Sequence, residues 1–345
     1  MDRLLLASDY QEGCCQDILE RLAETNLQKS SGYGTDEFCE SAREKIRAAC
    51  ACPDAAVHFL SGGTQTNATV IAALLKPWQG VIAAETGHIN GHEAGAVEAG
   101  GHKVLTLPHT NGKIAADSVR QCCEAYRNDE NHEHTVMPGM VYLSQPTEYG
   151  TLYSLSELTE IRSICDRYQL SLYVDGARLA YALACPVNDV TLPDLARLCD
   201  AFYIGGTKCG ALFGEAVVVP DPDTIPCFFT FIKQRGALLA KGRILGIQFD
   251  TLFTDDLYLK LGKPAIKAAD RMRSLFAEAG YPLLFGSPTN QVFVLLEDGE
   301  KERLAKEVGF GFWEKPDIGH TIVRFASGWA TTSEDIDRLE RIVRG

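Results

Sequence analysis

At 345 residues the chain exceeds one ordinary domain and falls short of a multi-domain assembly, so a large domain with a smaller companion is expected. With 46% hydrophobic and 23% charged residues and no low-complexity tract, its composition is globular and excludes disorder. A net charge of −13 argues against coating nucleic acid or an anionic membrane, and no apolar run is long enough for a signal peptide or a membrane span, so a cytoplasmic protein is expected.

In chain order, Thr35 or Asp36 can cap a helix running to about Cys50. Short apolar runs then alternate with helical periodicity: Ala56–Leu60, Val81–Ala84, Lys103–Leu107, Met140–Ser144, Ser171–Val174, Ala201–Ile204 and Ala216–Val219. Such runs suit strands buried on both faces, so an α/β fold with a mostly parallel seven-stranded sheet flanked by helices is expected. Ser154 or Ser156 can cap the helix that carries Leu158, Ile161, Ile164 and Cys165 on one face. After Pro220-Asp221-Pro222 the pattern changes to long helical stretches from about Phe228 to Gly280, strands at Gln291–Leu296 and Thr321–Phe325, and a helix after Thr332. The expected division is an N-terminal segment, 1–30, joining the small domain or the active site, a large α/β domain over 31–245, and a small α+β domain over 246–345. The twelve cysteines form no paired CxxC knuckles, and Cys14-Cys15, Cys50-x-Cys52 and Cys122-Cys123 read as reduced thiols in helices and core, not as zinc ligands.

Three segments carry chemistry. Ser61-Gly62-Gly63-Thr64-Gln65-Thr66-Asn67 follows a strand and opens a helix, so its amides and the helix dipole point at one spot, as in a phosphate cup. It is not GxGxxG and lacks the P-loop lysine, which disfavours dinucleotide and ATP binding. Asp175, in Tyr173-Val174-Asp175-Gly176-Ala177-Arg178, stands at the carboxyl end of a buried strand, where open α/β sheets build their sites. It can cap a helix or meet a cationic partner; a carboxylate here keeps a pyridine nitrogen protonated. Lys208, in Gly205-Gly206-Thr207-Lys208-Cys209-Gly210, lies just past another apolar strand among glycines, where burial and a neighbouring cation would leave its amine neutral and nucleophilic. A phosphate cup, an acid and a lysine on successive strand ends are the contacts that pyridoxal 5'-phosphate (PLP) requires.

On Phe59–Asn67, Tyr173–Leu179 and Ile204–Gly214 the chain resembles the threonine aldolase and aromatic amino acid β-eliminating lyase family, PLP-dependent enzymes of the aspartate aminotransferase fold type I. The likeness runs from Ser8-Asp9 to Val323-Arg324-Phe325, and Gly32-Tyr33-Gly34 matches an early family segment. The resemblance implies Lys208 as the Schiff-base lysine, Asp175 as the pyridinium partner, Gly63 and Thr64 with Gln65 as phosphate contacts, and His88 stacked on the ring. It implies Ser8, Arg178 and Arg324 as holders of the substrate carboxylate, a task that suits arginine's planar fork. Competing readings are a core role or a metal pair with His92 for His88, a salt bridge to Asp175 for Arg178, and a surface position for Arg324.

Where the family commonly has a second histidine, this chain reads Ser144-Gln145-Pro146-Thr147-Glu148-Tyr149-Gly150. The base that removes the substrate hydroxyl proton is therefore open among His88, Glu148 and water. The family's basic cofactor contact is open among Lys233, Arg235, Lys241 and Arg243. The resemblance implies cleavage of a β-hydroxy-α-amino acid, L-threonine or L-allo-threonine, to glycine and an aldehyde, by a homo-oligomer, dimer or tetramer, acting on a small-molecule amino acid. Alternatives are a PLP-dependent β-eliminating lyase, motivated by the missing histidine, and a PLP-fold binding protein without catalysis.

Overall fold

Alternation of side chains divides the strands of the main sheet between two cores. In the computed structural model, which describes residues 3–345, the strands run β1 Leu4–Leu5, β2 Ala56–Leu60, β3 Gln79–Ala84, β4 Val104–Leu107, β5 Met137–Ser144, β6 Ser171–Asp175, β7 Ala201–Gly205, β8 Glu215–Val219, β9 Gln291–Glu297, β10 Val308–Gly309, β11 Gly311–Glu314 and β12 His320–Ala326. Val141, Leu143, Leu172, Val174, Phe202 and Ile204 join the core on one face; Met140, Tyr142, Tyr173, Ala201 and Tyr203 join that on the other. This is the period-two consequence of extended chain covered by helices on both sides.

The seven strands are ordered β2-β8-β7-β6-β5-β3-β4. β8 runs antiparallel to both neighbours, and the other pairings are parallel. The carboxyl ends of six strands thus share one edge, and the amino end of β8 brings Glu215 to the same edge. Most connections are helical. Asp36 caps Glu37–Ala49 by accepting from the Cys39 amide at 2.9 Å. Ser154 and Glu157 form a reciprocal capping box on Leu155–Tyr168.

The helical stretch expected from 228 to 280 is three helices, Phe228–Gln234, Arg243–Leu252 and Leu257–Glu278. Residues in the left-handed region punctuate it: Gly236, and the pair Asp255 and Asp256 at φ 50° and 56°. Beyond it, β11, β12 and β9 form an antiparallel sheet over a separate core shared with Leu257–Glu278 and Ser333–Arg344. The last helix buries Ile336, Leu339, Ile342 and Val343, each worth about 1.5–3 kcal/mol of apolar transfer. β1 pairs parallel with β10, and Leu4 and Leu6 enter this core. The chain then continues through residues 7–10 to the carboxyl edge of the main sheet. No helix of the described residues is long and apolar enough to cross a membrane.

Candidate active site

A cavity of about 320 Å³ opens at that edge. One end is the turn between β2 and the helix Gly63–Leu74, where Ser61, Gly62, Gly63 and Thr64 line the wall. A Cβ on Gly62 would meet nothing within 4 Å, and one on Gly63 would come within 3.2 Å of the Tyr203 hydroxyl, so the turn leaves open space before the helix amides. Gln65 stands one layer back, accepting from the Ser61 hydroxyl at 2.6 Å, and Ser61 takes the wall position. Thr207 also lines the cavity.

Asp175 is buried at the end of β6 and accepts four hydrogen bonds. Oδ1 receives the Tyr203 hydroxyl at 2.5 Å and the Ala177 amide at 2.9 Å; Oδ2 receives the Tyr142 hydroxyl at 2.7 Å and Asn67 Nδ2 at 3.0 Å. Burial alone would raise its pKa, but the charge of His88 and the hydrogen bonds from Tyr203, Asn67 and Tyr142 outweigh it and hold the carboxyl below its ordinary value. The bond to Ala177 is a turn within the local loop, and the other three side-chain donors make the site a built anion.

Lys208 lines the cavity, and no hydrogen bond or ion pair among the described residues engages its amine. Burial lowers its pKa, and the charge of Arg178 adds to that; Asp9, Asp175 and Glu215 pull the other way without restoring it. A lysine so placed carries more of the neutral, nucleophilic form than one in water. Glu215 is buried beside it, accepting from the Gly206 amide at 3.1 Å and the Thr207 hydroxyl at 2.8 Å, and burial pushes its pKa up to about 8.

An outer chamber of about 710 Å³ shares Tyr10, His88, Glu148, Arg178 and Lys208 with the inner cavity and adds Trp313 and Arg324. His88 Nδ1 lies 2.7 Å from Glu93 Oε1, and its backbone amide donates to Glu148 Oε1 at 2.8 Å. The same Glu148 oxygen accepts from the Ser144 hydroxyl at 2.7 Å. Burial raises the Glu148 pKa despite these donors.

Arg178 pairs with Asp9, not with Asp175: Nε donates to Oδ2 at 2.6 Å and Nη2 to Oδ1 at 2.9 Å. Arg324, on β12, is not a surface residue. Its Nη2 donates to the Ala7 carbonyl and its Nη1 to Gln291, each at 3.1 Å, while Nε is buried without a partner. Ser8 lies in the same N-terminal crossing but outside both cavity walls. Lys233, Arg235, Lys241 and Arg243 also stand off these walls; Lys233 covers the Tyr33 ring at 4.2 Å, and Arg243 binds the carbonyls of Thr25 and Gln28.

Sequence reasoning missed Asp9, Tyr10, Asn67, Glu93, Tyr142, Tyr203, Thr207 and Glu215. A signal existed for some of them. Glu93 follows His88 at one helical turn and a residue more, and Glu215 is a lone charge opening the apolar run Ala216–Val219.

The profile described as "Beta-eliminating lyase" matches residues 6–299. The chain belongs to the beta-eliminating lyase family. A low specificity L-threonine aldolase of Pseudomonas aeruginosa is 32% identical over 343 residues, 98% of this chain and 96% of that one. A solved threonine aldolase of Leishmania major superposes with a TM-score of 0.95 at 41% identity, covering 99% of this chain and 98% of that one. Aspartate aminotransferase of Thermus thermophilus, at 15% identity and TM-score 0.72 over 99% of this chain and 91% of its own, shares the fold. The chain is a PLP-dependent enzyme of fold type I. The donor set fits that cofactor, with an unengaged amine at Lys208, a buried carboxylate at Asp175 and an open cup at Gly62 within one cavity.

Proposed function

We propose that this chain cleaves L-threonine or L-allo-threonine between Cα and Cβ, giving glycine and acetaldehyde. The observation that carries the reading is the convergence of Lys208, Asp175, His88 and Glu148 on one cavity, in a chain whose relatives carry the threonine aldolase name. Lys208 would hold PLP through its amine, which burial and the charge of Arg178 keep nearer the neutral form. Bound there, PLP supplies an electron-poor ring that accepts the electron pair of the breaking bond. Asp175 would hold the ring nitrogen, its charge kept by Tyr203, Tyr142 and Asn67. Ser61, Gly63, Thr64 and Thr207 would hold the phosphate, with Gln65 orienting Ser61, and His88 would form the wall over the ring.

Arg178 and Arg324 face the substrate carboxylate. With Nε and one Nη2 proton of Arg178 taken by Asp9, the Nη1 edge remains for that ligand. Breaking the Cα–Cβ bond turns the hydroxyl carbon into a carbonyl, so the hydroxyl proton must leave. We assign its acceptor as Glu148, which occupies the segment that lacks a histidine and whose raised pKa brings it nearer to the working range of a proton shuttle.

We further propose a large domain over 31–245 and a small one over 246–345, tied by the 1–30 segment; the separate core around β9 and β12 supports the small domain, while the helix Arg243–Leu252 spans the boundary and sends Phe249 and Leu252 into the main core. Exposed Tyr33 and Phe229, which line one groove, support a homo-oligomer. Twelve free thiols support a reducing, cytoplasmic setting.

The test is incubation of cofactor-loaded protein with each threonine diastereomer, assaying glycine and acetaldehyde, with Lys208→Ala as control. Equimolar release that the variant loses supports the reading. Ammonia and 2-oxobutanoate in their place would replace it with β-elimination.

A further inference from the structure

Behind His88 lies a buried acid, Glu93, that the proposed reaction does not use. Glu93 has a fully buried side chain, and its Oε1 lies 2.7 Å from His88 Nδ1 and accepts from Asn67 Nδ2 at 2.8 Å. Asn67 Nδ2 also reaches Asp175 Oδ2 at 3.0 Å, while Asn67 Oδ1 accepts from the Tyr173 hydroxyl at 2.9 Å. The direction of these hydrogen bonds is determined by their members. A flipped Asn67 amide would aim a carbonyl oxygen at two carboxylates and its NH₂ at a hydroxyl. In the orientation found, the amide donates to both acids and accepts from the phenol. As a carboxylate, Glu93 offers only lone pairs at Oε1, so the imidazole nitrogen beside it brings its own proton. Glu93 Oε2 is buried without a hydrogen-bond partner, so the carboxyl's recorded hydrogen bonds all converge on one oxygen.

We propose that Glu93 is a positioning residue for His88: it holds the imidazole as the Nδ1–H tautomer and leaves Nε2 as a bare acceptor toward the cavity. The same acid is joined through Asn67 to Asp175, so one asparagine sets the orientation of both the ring wall and the ring-nitrogen partner. An imidazole whose far nitrogen is held this way cannot swap tautomers without leaving a buried carboxylate oxygen facing a lone pair. The role assigned to His88 rests on the aldolase reading; the tautomer does not.

The experiment uses protein labelled with ¹⁵N-histidine, with and without PLP, at a pH where the imidazole is neutral. Long-range ¹H–¹⁵N correlation reports which nitrogen carries the proton, and the signal is assigned by its loss in His88→Asn. Wild type is expected to show Nδ1–H in both forms. Glu93→Gln keeps an acceptor oxygen at the Oε1 position and sets its NH₂ where Oε2 has no partner, so it should retain that tautomer. Glu93→Ala should move at least half of the population to Nε2–H and lower kcat by about 10–100-fold, the range usual for a lost supporting contact. Glu93→Gln should restore kcat to within about threefold of wild type, since the contact itself is kept. Nε2–H in the wild type overturns the proposal, as does an unchanged tautomer in Glu93→Ala. Should Glu93→Ala fail to fold, the wild-type and Glu93→Gln spectra decide alone. Since the spectra need no turnover, a protein that showed the expected tautomers and released no glycine would sink the aldolase reading and leave this one standing.

Discussion

Asp9 and Arg178 meet side on through two hydrogen bonds of 2.6 and 2.9 Å, across 169 residues of chain, with the aspartate side chain fully buried. The pair ties the N-terminal crossing to the loop after β6, and Asn290 adds a third tie by donating to Asp9 Oδ2 at 2.9 Å. Burial alone would raise the Asp9 pKa, but the charge and hydrogen bonds of Arg178, aided by Lys208 and Arg324, hold it at about 2 against an ordinary 3.8. A depressed carboxyl stabilises the fold above its unfolded pKa, and that stability is lost as pH falls through the folded value. The contribution of about 2 kcal/mol should therefore be complete above pH 4 and disappear between about pH 4 and 2. Asp9→Ala should cost about 3–5 kcal/mol at neutral pH by stranding the buried guanidinium. Urea denaturation at pH 7 and pH 3 checks both, and an unaltered midpoint in the variant would remove the pair from the fold's supports.

A different dependence on pH is expected of the reaction. Glu148 must be ionised to take a proton, and burial raises its pKa above the ordinary carboxylate value. Aldol cleavage should therefore climb on the acid side through a limb displaced upward from the usual carboxylate range. Glu148→Gln should abolish that limb and lower kcat by about 10²–10⁴-fold, the usual worth of general base catalysis, while the absorption band of the lysine-bound cofactor persists. Retention of the limb in the variant would move the base to His88 Nε2 or to water.

Which parts of this site could be read from the sequence depended on the distance over which each contact is made. The cup after β2, Asp175 at the end of β6 and Lys208 after β7 each sit within a strand-to-loop unit whose pattern is local, and the carboxyl-edge rule then brings them together. Asp36 and Ser154 were legible as caps for the same reason. Asp9 was not, because nothing local to residue 9 indicates an arginine on another sheet edge; that contact exists only once β1 has paired with β10. Asn67 and Glu93 look like ordinary polar positions of a helix and a turn, and their roles appear only when the neighbouring strand ends place His88 and Asp175 on either side. Tyr142 and Tyr203 carried a pattern signal for burial but none for their hydroxyls, which meet at one carboxylate through strand register.

That register makes Tyr203 a direct test of how Asp175 stays charged. Its hydroxyl donates to Oδ1 at 2.5 Å, and hydrogen bonds to charged groups contribute about 1.5–3 kcal/mol. Tyr203→Phe should lower stability by that amount and raise the Asp175 pKa, weakening its hold on a protonated ring nitrogen. Asp175→Asn should go further, removing the charge itself, so kcat should fall more in Asp175→Asn than in Tyr203→Phe. A loss in Tyr203→Phe with little in Asp175→Asn would show that the phenol, and not the carboxylate charge, is what the site needs.

Glu215 gives the opposite sign to Asp9. Burial pushes its pKa up to about 8 from an ordinary 4.5, so the fold favours the neutral carboxyl, and Lys208 beside it tempers that preference. Below pH 4.5 both folded and unfolded chains hold the proton and the residue costs nothing on this account. As pH rises from 4.5 to about 8 the unfolded chain releases its proton first, and the cofactor-free fold should lose stability by at most about 1.4 kcal/mol per pH unit. Glu215→Gln, whose amide can still accept from Gly206 and donate to the Thr207 hydroxyl, should be free of that slope. The difference in stability between variant and wild type should therefore be flat below pH 4.5, grow in the variant's favour up to about pH 8, and level off above it, as measured by urea midpoints across that range. A difference that stays flat throughout would mean that Glu215 is already ionised in the folded protein at neutral pH, held so by the charge of Lys208.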